Sequence, residues 1–496
     1  MRETVVETGA VRGIACGWPS ITAYYGIPYA APPVGELRWR PPQPAANWEG
    51  VRDCARPSAR CPQPPMAGFY AHEFYPVEEP MDEDCLYLNV WTPARSKEEK
   101  LPVIFWVHGG AFMTGYGHSA HFDGEPFARQ GVILVTINYR LNIFGWMTHP
   151  ELSEESEQKV SGNYGLLDQI FALQWVKRNI ASFGGDPDNI TIAGQSAGAM
   201  SIQTLLTTPM TKGLVDKAIM QSGGGCTAVP DMRFPTLKEA EARTDLALLG
   251  IKTIAQAREL SWRELLERWT KSMPTLGIQR TPVVDGWVLP ASLEDMAAAG
   301  EYRHVPCLIG YTAQEGIPAA PSFQLWKETL EKEYGLEKGR EMLELCGGEK
   351  AFEDYSKYHH FTDHCRASAE AWALTKERQG TGSTYVYCLD RKLPGDEMGT
   401  FHAADLWYVF QTFMRGWRPW TGTDFELARA CNTYWANFAK TGVPRGERLP
   451  QWTAYTVHSP MTMELGEHIG MISMERRPAV DFRRNFLLDR SSGRER

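Results

Sequence analysis

The chain lacks any long hydrophobic run, any basic run, and any cluster of cysteines at metal-binding spacing. No stretch approaches the roughly 18 apolar residues that a membrane-spanning helix requires. Residues 1–7 carry charges where a signal peptide needs an apolar segment, and this predicts a cytoplasmic protein. A formal net charge of −9 without a basic patch argues against nucleic acid or an anionic membrane as a partner.

The ten cysteines are scattered without metal-type spacing, which predicts reduced core residues and no metal site. Hydrophobic residues make up 43% of the chain and charged residues 22%, as in an ordinary globular protein with a substantial core. A length of 496 residues would suit roughly three domains. Because large α/β enzymes often form one unit, we predict a single domain over residues 1–496.

Short apolar runs that predict strands alternate with segments that predict helices. The strand-like runs lie at residues 103–107, 132–137, 217–220, 305–309 and 384–387, and a helix is predicted over 166–180. This alternation implies an α/β fold with a mostly parallel sheet covered by helices on both faces. Further helical patterns at 237–249 and 260–269 predict a helical insertion around 230–300 within the same domain.

The pentapeptide Gly-Gln-Ser-Ala-Gly at residues 194–198 fits the pattern Gly-x-Ser-x-Gly. A β-branched run at 189–193 precedes it and predicts a buried strand, and a helix is predicted to begin at 197. Strand, sharp turn and helix form the context of a nucleophile elbow, which holds a serine hydroxyl clear of the sheet. Ser196 is therefore the candidate nucleophile, with a glycine-rich turn as the alternative.

A second glycine motif, His108-Gly109-Gly110, directly follows the predicted strand at 103–107. Backbone N–H groups of such a loop can bind a developing oxyanion together with the N–H of the residue after the nucleophile. We predict an oxyanion hole formed by Gly109, Gly110 and Ala197. The alternative is a simple glycine turn, with His108 anchoring the loop.

The base and the acid follow the serine in the chain order of hydrolases with this elbow. Among the histidines after Ser196, His304 lies before a strand. A predicted helix contains His359, His360 and His364, and C-terminal loops contain His458 and His468. His402 lies after the strand 384–389. This position favours His402 as the base, with a structural role as the alternative. Glu315 follows the strand 305–309, although composition alone does not separate it from Asp285 or Asp390.

Several longer segments carry a family resemblance. They lie at residues 25–30, 32–38, 83–90, 163–169, 175–176, 183–187, 194–198, 282–286 and 435–439, with Glu-Asp-Cys-Leu-Tyr-Leu-Asn-Val at 83–90 as one signature. In these segments the chain resembles the type-B carboxylesterases, the cholinesterase-like branch of the α/β-hydrolases, from about residue 5 to residue 487. The pattern is most similar to bacterial p-nitrobenzyl-esterase-like carboxylesterases.

The resemblance implies the α/β-hydrolase fold and the hydrolysis of carboxylic esters without a cofactor. It assigns the catalytic triad to Ser196, Glu315 and His402. It also matches Cys61 and Cys85 to the first disulfide of the family, although two reduced thiols are the alternative in a chain whose first residues do not form a signal peptide. The expected partner is a small-molecule ester, and both a monomer and a homodimer are open.

Two positions depart from the family pattern. Gln195 stands before the nucleophile where the family usually has Glu, which changes the charge behind the elbow without altering the triad. Cholinesterases carry a tryptophan for the quaternary ammonium group in the loop between the two cysteines, and residues 62–84 contain none. A choline ester is therefore disfavoured.

Aromatic side chains are predicted to shape the substrate pocket, with ordinary core packing as the alternative for each. An aromatic lip is expected from the loop 62–82, through Met66, Phe69, Tyr70, Phe74 and Tyr75, and further apolar walls from Phe112, Met113, Tyr116, Phe323, Trp326, Trp407 and Phe413. We expect short-to-medium acyl or aryl esters as substrates. Alternative functions are a feruloyl- or cinnamoyl-type esterase and a non-catalytic binding protein of the neuroligin type.

Overall fold

A computed structural model describes residues 2–74, 80–227, 233–273 and 281–491 of the chain. The chain folds into two compact units whose segments alternate along the sequence. The first unit contains Met1–Ala193, Thr208–Asp216 and Phe234–Ala291, and the second contains Gly194–Thr207, Lys217–Arg233 and Ser292–Arg496. The prediction of a single domain over residues 1–496 stays a prediction.

The strands confirm the predicted runs and add shorter ones at the amino terminus. In chain order they are β1 (Glu3–Val6), β2 (Gly9–Arg12), β3 (Ile14–Ala15), β4 (Thr22–Pro28), β5 (Val51–Asp53), β6 (Tyr87–Thr92), β7 (Leu101–Val107), β8 (Ile133–Ile137), β9 (Gly185–Gln195), β10 (Lys217–Gln221), β11 (Cys307–Thr312), β12 (Thr384–Asp390), β13 (Thr462–Gly466) and β14 (Ile469–Ile472).

The helices alternate with the strands over most of the chain. They are α1 (Gly68–Phe74), α2 (Glu125–Arg129), α3 (Asn142–Trp146), α4 (Pro150–Glu155), α5 (Tyr164–Asn179), α6 (Ala197–Thr207), α7 (Leu237–Arg243), α8 (Ile254–Glu259), α9 (Trp262–Ser272), α10 (Leu293–Ala299), α11 (Phe323–Tyr334), α12 (Leu336–Leu345), α13 (Gly348–Tyr358), α14 (His360–Gln379), α15 (Asp405–Val409), α16 (Gly422–Thr441) and α17 (Pro478–Ser491). Among the described residues, no helix is long and apolar enough to cross a membrane.

The strands of the first unit follow the order β9-β7-β8-β6-β4-β3, beside a small sheet of order β1-β2-β5. β7 and β8 are parallel, with Val103 opposite Ile133. β8 and β6, β6 and β4, and β4 and β3 are antiparallel. The prediction of a mostly parallel sheet did not include these antiparallel pairs. The connection between β3 and β4 is too short for the crossover that a parallel pair requires.

The second unit contains a parallel run of strands in the order β10-β11-β12-β13, with β14 antiparallel at the end. Every residue of β10 and β11 is buried, as expected for strands that are covered on both faces. Gly310 pairs with Tyr387 across β11 and β12. A Cβ at Gly310 would lie 2.1 Å from the Tyr387 ring, so only glycine admits this ring.

The predicted helical insertion contains α7, α8 and α9 in the first unit and α10 in the second. Capping boxes fix two helix starts: Thr236 pairs with Glu239, and Ser261 with Glu264. Residues 228–232 and 274–280 of this region lie outside the described residues. The bounds of the insertion as a subdomain therefore stay a prediction.

The two cysteines matched to the family disulfide lie in the first unit. Both Cys61 and Cys85 are buried free thiols. The hydrogen bond with Cys61, together with burial, holds the pKa of the Cys85 thiol well above its usual range. The possible disulfide between Cys61 and Cys85 stays a prediction.

Candidate active site

Ser196 lies at the turn between β9 and α6, as the elbow motif predicts. Its backbone is in the left-handed region with φ 57°, a conformation that costs a non-glycine residue free energy and persists only when its surroundings hold it. The Ser196 N–H donates to the carbonyl oxygen of Gln221 at 2.8 Å, and its own carbonyl accepts from the Met200 N–H at 3.0 Å. These bonds fix the turn on the end of β10 and on the first turn of α6.

Glu315 and His402 meet beyond the carboxyl ends of the neighbouring parallel strands β11 and β12. The His402 Nδ1 atom lies 2.5 Å from Glu315 Oε2. The other carboxylate oxygen accepts from the Thr312 N–H at 2.9 Å, and the Glu315 N–H donates to the Thr362 hydroxyl at 3.0 Å. Glu315 is fully buried. Its carboxylate is held by hydrogen bonds from a backbone N–H and from the imidazole.

The other ring nitrogen of His402 faces the elbow. Its Nε2 atom lies 3.2 Å from the side-chain nitrogen of Gln195, the residue that precedes Ser196. Phe361 of α14 packs edge-on against the imidazole, with ring centroids 5.5 Å apart. The ring is thus oriented by a carboxylate on one side, an amide on the other and an aromatic edge.

A second buried carboxylate, Asp405, lies three residues after His402. Its Oδ2 atom accepts from Gln221 Nε2 at 2.7 Å and from the Tyr387 hydroxyl at 2.8 Å. Trp435 Nε1 in turn donates to Gln221 Oε1 at 2.9 Å. Burial raises the pKa of Asp405 to about 6 despite these donors. The sequence analysis did not predict this network. The one indication of it in the sequence is that Gln221 and Asp405 are polar residues that follow predicted strands.

The loop of the predicted oxyanion donors follows β7 in the first unit. Gly110 has φ 110°, and a Cβ there would lie 2.1 Å from the Thr114 carbonyl oxygen, so the loop requires glycine. His108 is buried and stacks on Tyr139 with centroids 4.5 Å apart. Burial lowers the pKa of His108 to about 4. His108 therefore packs as a neutral residue that anchors the loop.

Ala197 is the first residue of α6, where a helix leaves its N–H groups without intrahelical partners. Such an N–H is free to bind an anion. The oxyanion role of Gly109, Gly110 and Ala197 stays a prediction.

The aromatic residues predicted in the first unit pack in two places. Phe74 contacts Tyr70 in α1 and His121, and Phe69 packs edge-on against Tyr70. Phe112 contacts Trp146 and Phe234. Tyr75 lies outside the described residues. The substrate-binding role of Phe69, Phe74 and Phe112 stays a prediction.

The aromatic residues predicted in the second unit are mostly core residues. Trp326 is fully buried in a cluster that includes Leu330 and Met342, with Phe323 packed against it. Trp407 and Phe413 are also buried and pack against Trp420. The structure gives all four a packing role, so for Phe323, Trp326 and Trp407 contact with substrate stays a prediction.

The described part of the chain contains no group of three or more His, Cys, Asp or Glu side chains arranged to hold a metal ion. The candidate residues Ser196, His402 and Glu315 all lie in the second unit. A serine on a strained turn, a buried imidazole and a carboxylate are the parts that a nucleophilic hydrolase needs.

Comparison with known proteins identifies the family and the fold. The sequence profile of the Carboxylesterase family matches residues 2–344 and 327–483. The para-nitrobenzyl esterase of Bacillus subtilis (strain 168) is 35% identical over 492 residues, which cover 95% of this chain and 96% of that protein. The fumonisin B1 esterase of Sphingopyxis macrogoltabida is 41% identical over 321 residues, covering 62% of this chain and 55% of that relative's length.

The solved structure of a thermophilic PNB esterase superposes with a TM-score of 0.82 at 31% identity, covering 98% of this chain and 99% of the other. The protein thus has the α/β-hydrolase fold, and this prediction is confirmed. The chain belongs to the Carboxylesterase family and is a carboxylic ester hydrolase.

Proposed function

We propose that the protein is a serine carboxylesterase in which Ser196 is the nucleophile, His402 the general base and Glu315 the orienting acid. The observation that carries this proposal is the buried contact of 2.5 Å between His402 Nδ1 and Glu315 Oε2. A carboxylate at Nδ1 leaves Nε2 of the neutral ring as the acceptor, which is the atom a general base needs. The left-handed backbone of Ser196 supports its role, since strained turns of this kind expose a nucleophile.

In the proposed reaction, Ser196 Oγ forms a bond to the carbonyl carbon of the ester while its proton passes to His402 Nε2. The carbonyl π electrons move to oxygen, and we propose that the N–H groups of Gly109, Gly110 and Ala197 bind this oxyanion. When the carbonyl re-forms, the C–O bond to the alcohol breaks and His402 gives its proton to the leaving oxygen. Water, deprotonated by His402, then attacks the acyl carbon, the bond from that carbon to Ser196 Oγ breaks, and His402 returns the proton to Oγ as the acid leaves. No cofactor takes part in these steps.

For the substrate, we propose short-to-medium acyl or aryl esters that are small and uncharged. The para-nitrobenzyl esterase among the relatives supports an aryl ester, and the predicted loop 62–82 offers aromatic side chains without a tryptophan. A panel of p-nitrophenyl esters of increasing acyl length, hydroxycinnamate esters and fumonisin B1 tests this. We expect the highest kcat/KM for acetate to hexanoate. A steady rise to palmitate would indicate a lipase, and a preference for hydroxycinnamates a feruloyl-type esterase.

We also propose that the enzyme works in the cytoplasm. The ten cysteines of the chain are free thiols in the structure, and free thiols are typical of reducing compartments. Counting reactive thiols in protein that is purified from its source without reductant and then denatured tests this. A disulfide between Cys61 and Cys85 in that preparation would contradict it.

The decisive experiment for the reaction is Ser196→Ala, assayed on p-nitrophenyl acetate and by labelling with a fluorophosphonate. We expect kcat to fall about 10⁴-fold or more and labelling to disappear. The matched control is Ser222→Ala, because Ser222 is buried, also has a left-handed backbone with φ 52°, and follows β10. This control should keep its activity and label normally. Full activity of Ser196→Ala would contradict the proposal.

A further inference from the structure

The amide of Gln195 makes the contact at His402 that the proposed mechanism does not use. Gln195 is the last residue of β9, and its side chain is buried. Its nitrogen lies 3.2 Å from His402 Nε2, while Glu315 Oε2 lies 2.5 Å from Nδ1. Both nitrogens of the imidazole therefore have a polar neighbour inside the protein.

These two neighbours together select one protonation state of the ring. An ionised carboxylate only accepts hydrogen bonds, so the Nδ1 atom that faces Glu315 carries a proton. Nε2 of the neutral ring is then an acceptor, and the N–H of the Gln195 amide donates to it. In the imidazolium both Nε2 and the amide nitrogen would be donors, and this contact would become repulsive. An amide that turns its nitrogen toward Nε2 therefore favours the neutral ring.

We propose that Gln195 is a positioning residue that holds His402 as a neutral base with its proton on Nδ1. This inference rests on the proposed function, because it concerns how the same histidine is prepared for the proton of Ser196.

A glutamate at this position, which the family resemblance leads one to expect, would act differently. Its carboxylate has acceptors at both oxygens and carries a negative charge, so it would stabilise only the protonated ring. The base would then be blocked by a proton at a higher pH. Replacing Gln195 by glutamate should therefore narrow the activity of the enzyme on the acidic side.

Other groups around His402 carry charge or titrate, and they are the same in the wild type and in the variants at Gln195. They are Glu315 after β11, Asp405 in α15, Cys365 in α14, and Tyr387 and Cys388 in β12. Asp405 is the one among them with a pKa raised into the working range, to about 6. The variants at Gln195 are therefore also made in an Asp405→Asn background, which separates the two titrations.

The experiment measures kcat/KM on p-nitrophenyl acetate from about pH 5 to about pH 9 for Gln195→Glu and Gln195→Met. For Gln195→Glu we expect the midpoint of the acidic limb to rise by about one pH unit or more, because the added carboxylate lies next to the ring. Gln195→Met removes the amide donor without adding charge. Its midpoint should rise by a smaller amount in the same direction.

The matched control is Gln203→Met, since Gln203 is a buried glutamine of α6 whose side chain accepts from the Gly225 N–H at 3.2 Å. Its midpoint should equal that of the wild type, and thermal unfolding checks that each variant is folded. If Gln195→Glu does not fold, Gln195→Met carries the test. Midpoints for the Gln195 variants that equal the wild-type value, or that fall, would overturn the inference.

Fluorophosphonate labelling distinguishes this failure from failure of the proposed function. Labelling of Ser196 in all variants with unchanged midpoints would reject only the role of Gln195. If the wild-type protein is not labelled at Ser196, the proposed mechanism itself is rejected.

Discussion

In the first unit the buried carboxylates of Glu83 and Asp168 face arginines, whereas in the second unit Glu315 faces a histidine and Asp405 faces neutral donors. Arg38 holds Glu83 with two bonds of 2.6 Å. Arg140 holds Asp168 with bonds of 2.8 and 2.7 Å, and its backbone N–H adds a third at 3.0 Å. The second unit also has buried arginine pairs, such as Arg391 with Asp424. The difference therefore belongs to the candidate site rather than to the unit.

This difference separates carboxylates that fix the structure from those that support chemistry. A guanidinium stays charged at every physiological pH, so a pair with arginine is static. An imidazole changes its charge near neutral pH, so a carboxylate bound to it can follow a proton transfer. The family segments at 32–38, 83–90 and 163–169 contain Arg38, Glu83 and Asp168, while Glu315 and His402 come from loops after strands.

The largest effect is expected at the carboxylate that faces the histidine. Glu315→Gln should lower kcat about 10⁴-fold, as loss of the acid does in comparable triads, because the amide can no longer orient the Nδ1–H tautomer. Steady-state kinetics on p-nitrophenyl acetate measure the effect, and urea unfolding checks the fold. A loss of less than about tenfold would remove Glu315 from the proposed triad.

An arginine-paired carboxylate should instead govern stability. Asp168→Ala leaves the buried Arg140 guanidinium without its partner, which should lower the free energy of unfolding by about 3–5 kcal/mol. Urea denaturation measures the change. The double variant Arg140→Met with Asp168→Leu should lose much less, because no unpaired charge remains. Equal losses in the single and double variants would contradict this interpretation.

Replacement of Asp405 should raise the free energy of unfolding, whereas replacement of Asp168 should lower it. The reason is that the buried charge of Asp405 has no cationic partner among the hydrogen bonds it makes. Its pKa is raised from 3.8 to about 6, so the folded state binds this proton more tightly than the unfolded state. The contribution of Asp405 to the free energy of unfolding is therefore fully present below pH 4 and is lost as the pH rises through 6. Asp405→Asn should remove this loss and raise the free energy of unfolding above pH 6 by up to about 3 kcal/mol.

The measurement is urea denaturation of both proteins at several pH values. The asparagine oxygen keeps the acceptor for Gln221 and Tyr387, so the two proteins should converge near pH 4. A constant difference between them at every pH would show that Asp405 does not titrate in this range.

The smallest effect is expected at an exposed pair. Arg12 and Glu3 lie 2.7 Å apart, but both side chains are 55% exposed. Glu3→Gln should change the free energy of unfolding by less than about 1 kcal/mol, because water and salt screen the pair. Urea denaturation at low and high salt checks this. A loss as large as that of Asp168→Ala would mean that pairing, rather than burial, decides the energy.

Local patterns in the sequence predicted most of the fold. The run at 103–107 became β7, the run at 384–387 became β12, and the segment 166–180 became α5 with its start shifted to Tyr164. The antiparallel strands β2 and β3 at the amino terminus were not predicted, because they are too short for a clear alternation of apolar and polar residues. The region 237–249 was predicted as one helix and is instead α7 followed by a turn of 3₁₀-helix at Leu246–Leu249.

The sequence predicted the elbow and the glycine loop after β7, since each depends on neighbouring residues. The family resemblance then assigned Ser196, Glu315 and His402 to a triad. Which polar groups meet depends on the tertiary structure. The contact of His402 with Glu315 spans 87 residues, and that with Gln195 spans 207. Such contacts form where strands distant in the chain end side by side, and the burial that raises the pKa of Asp405 arises only when the core closes around it.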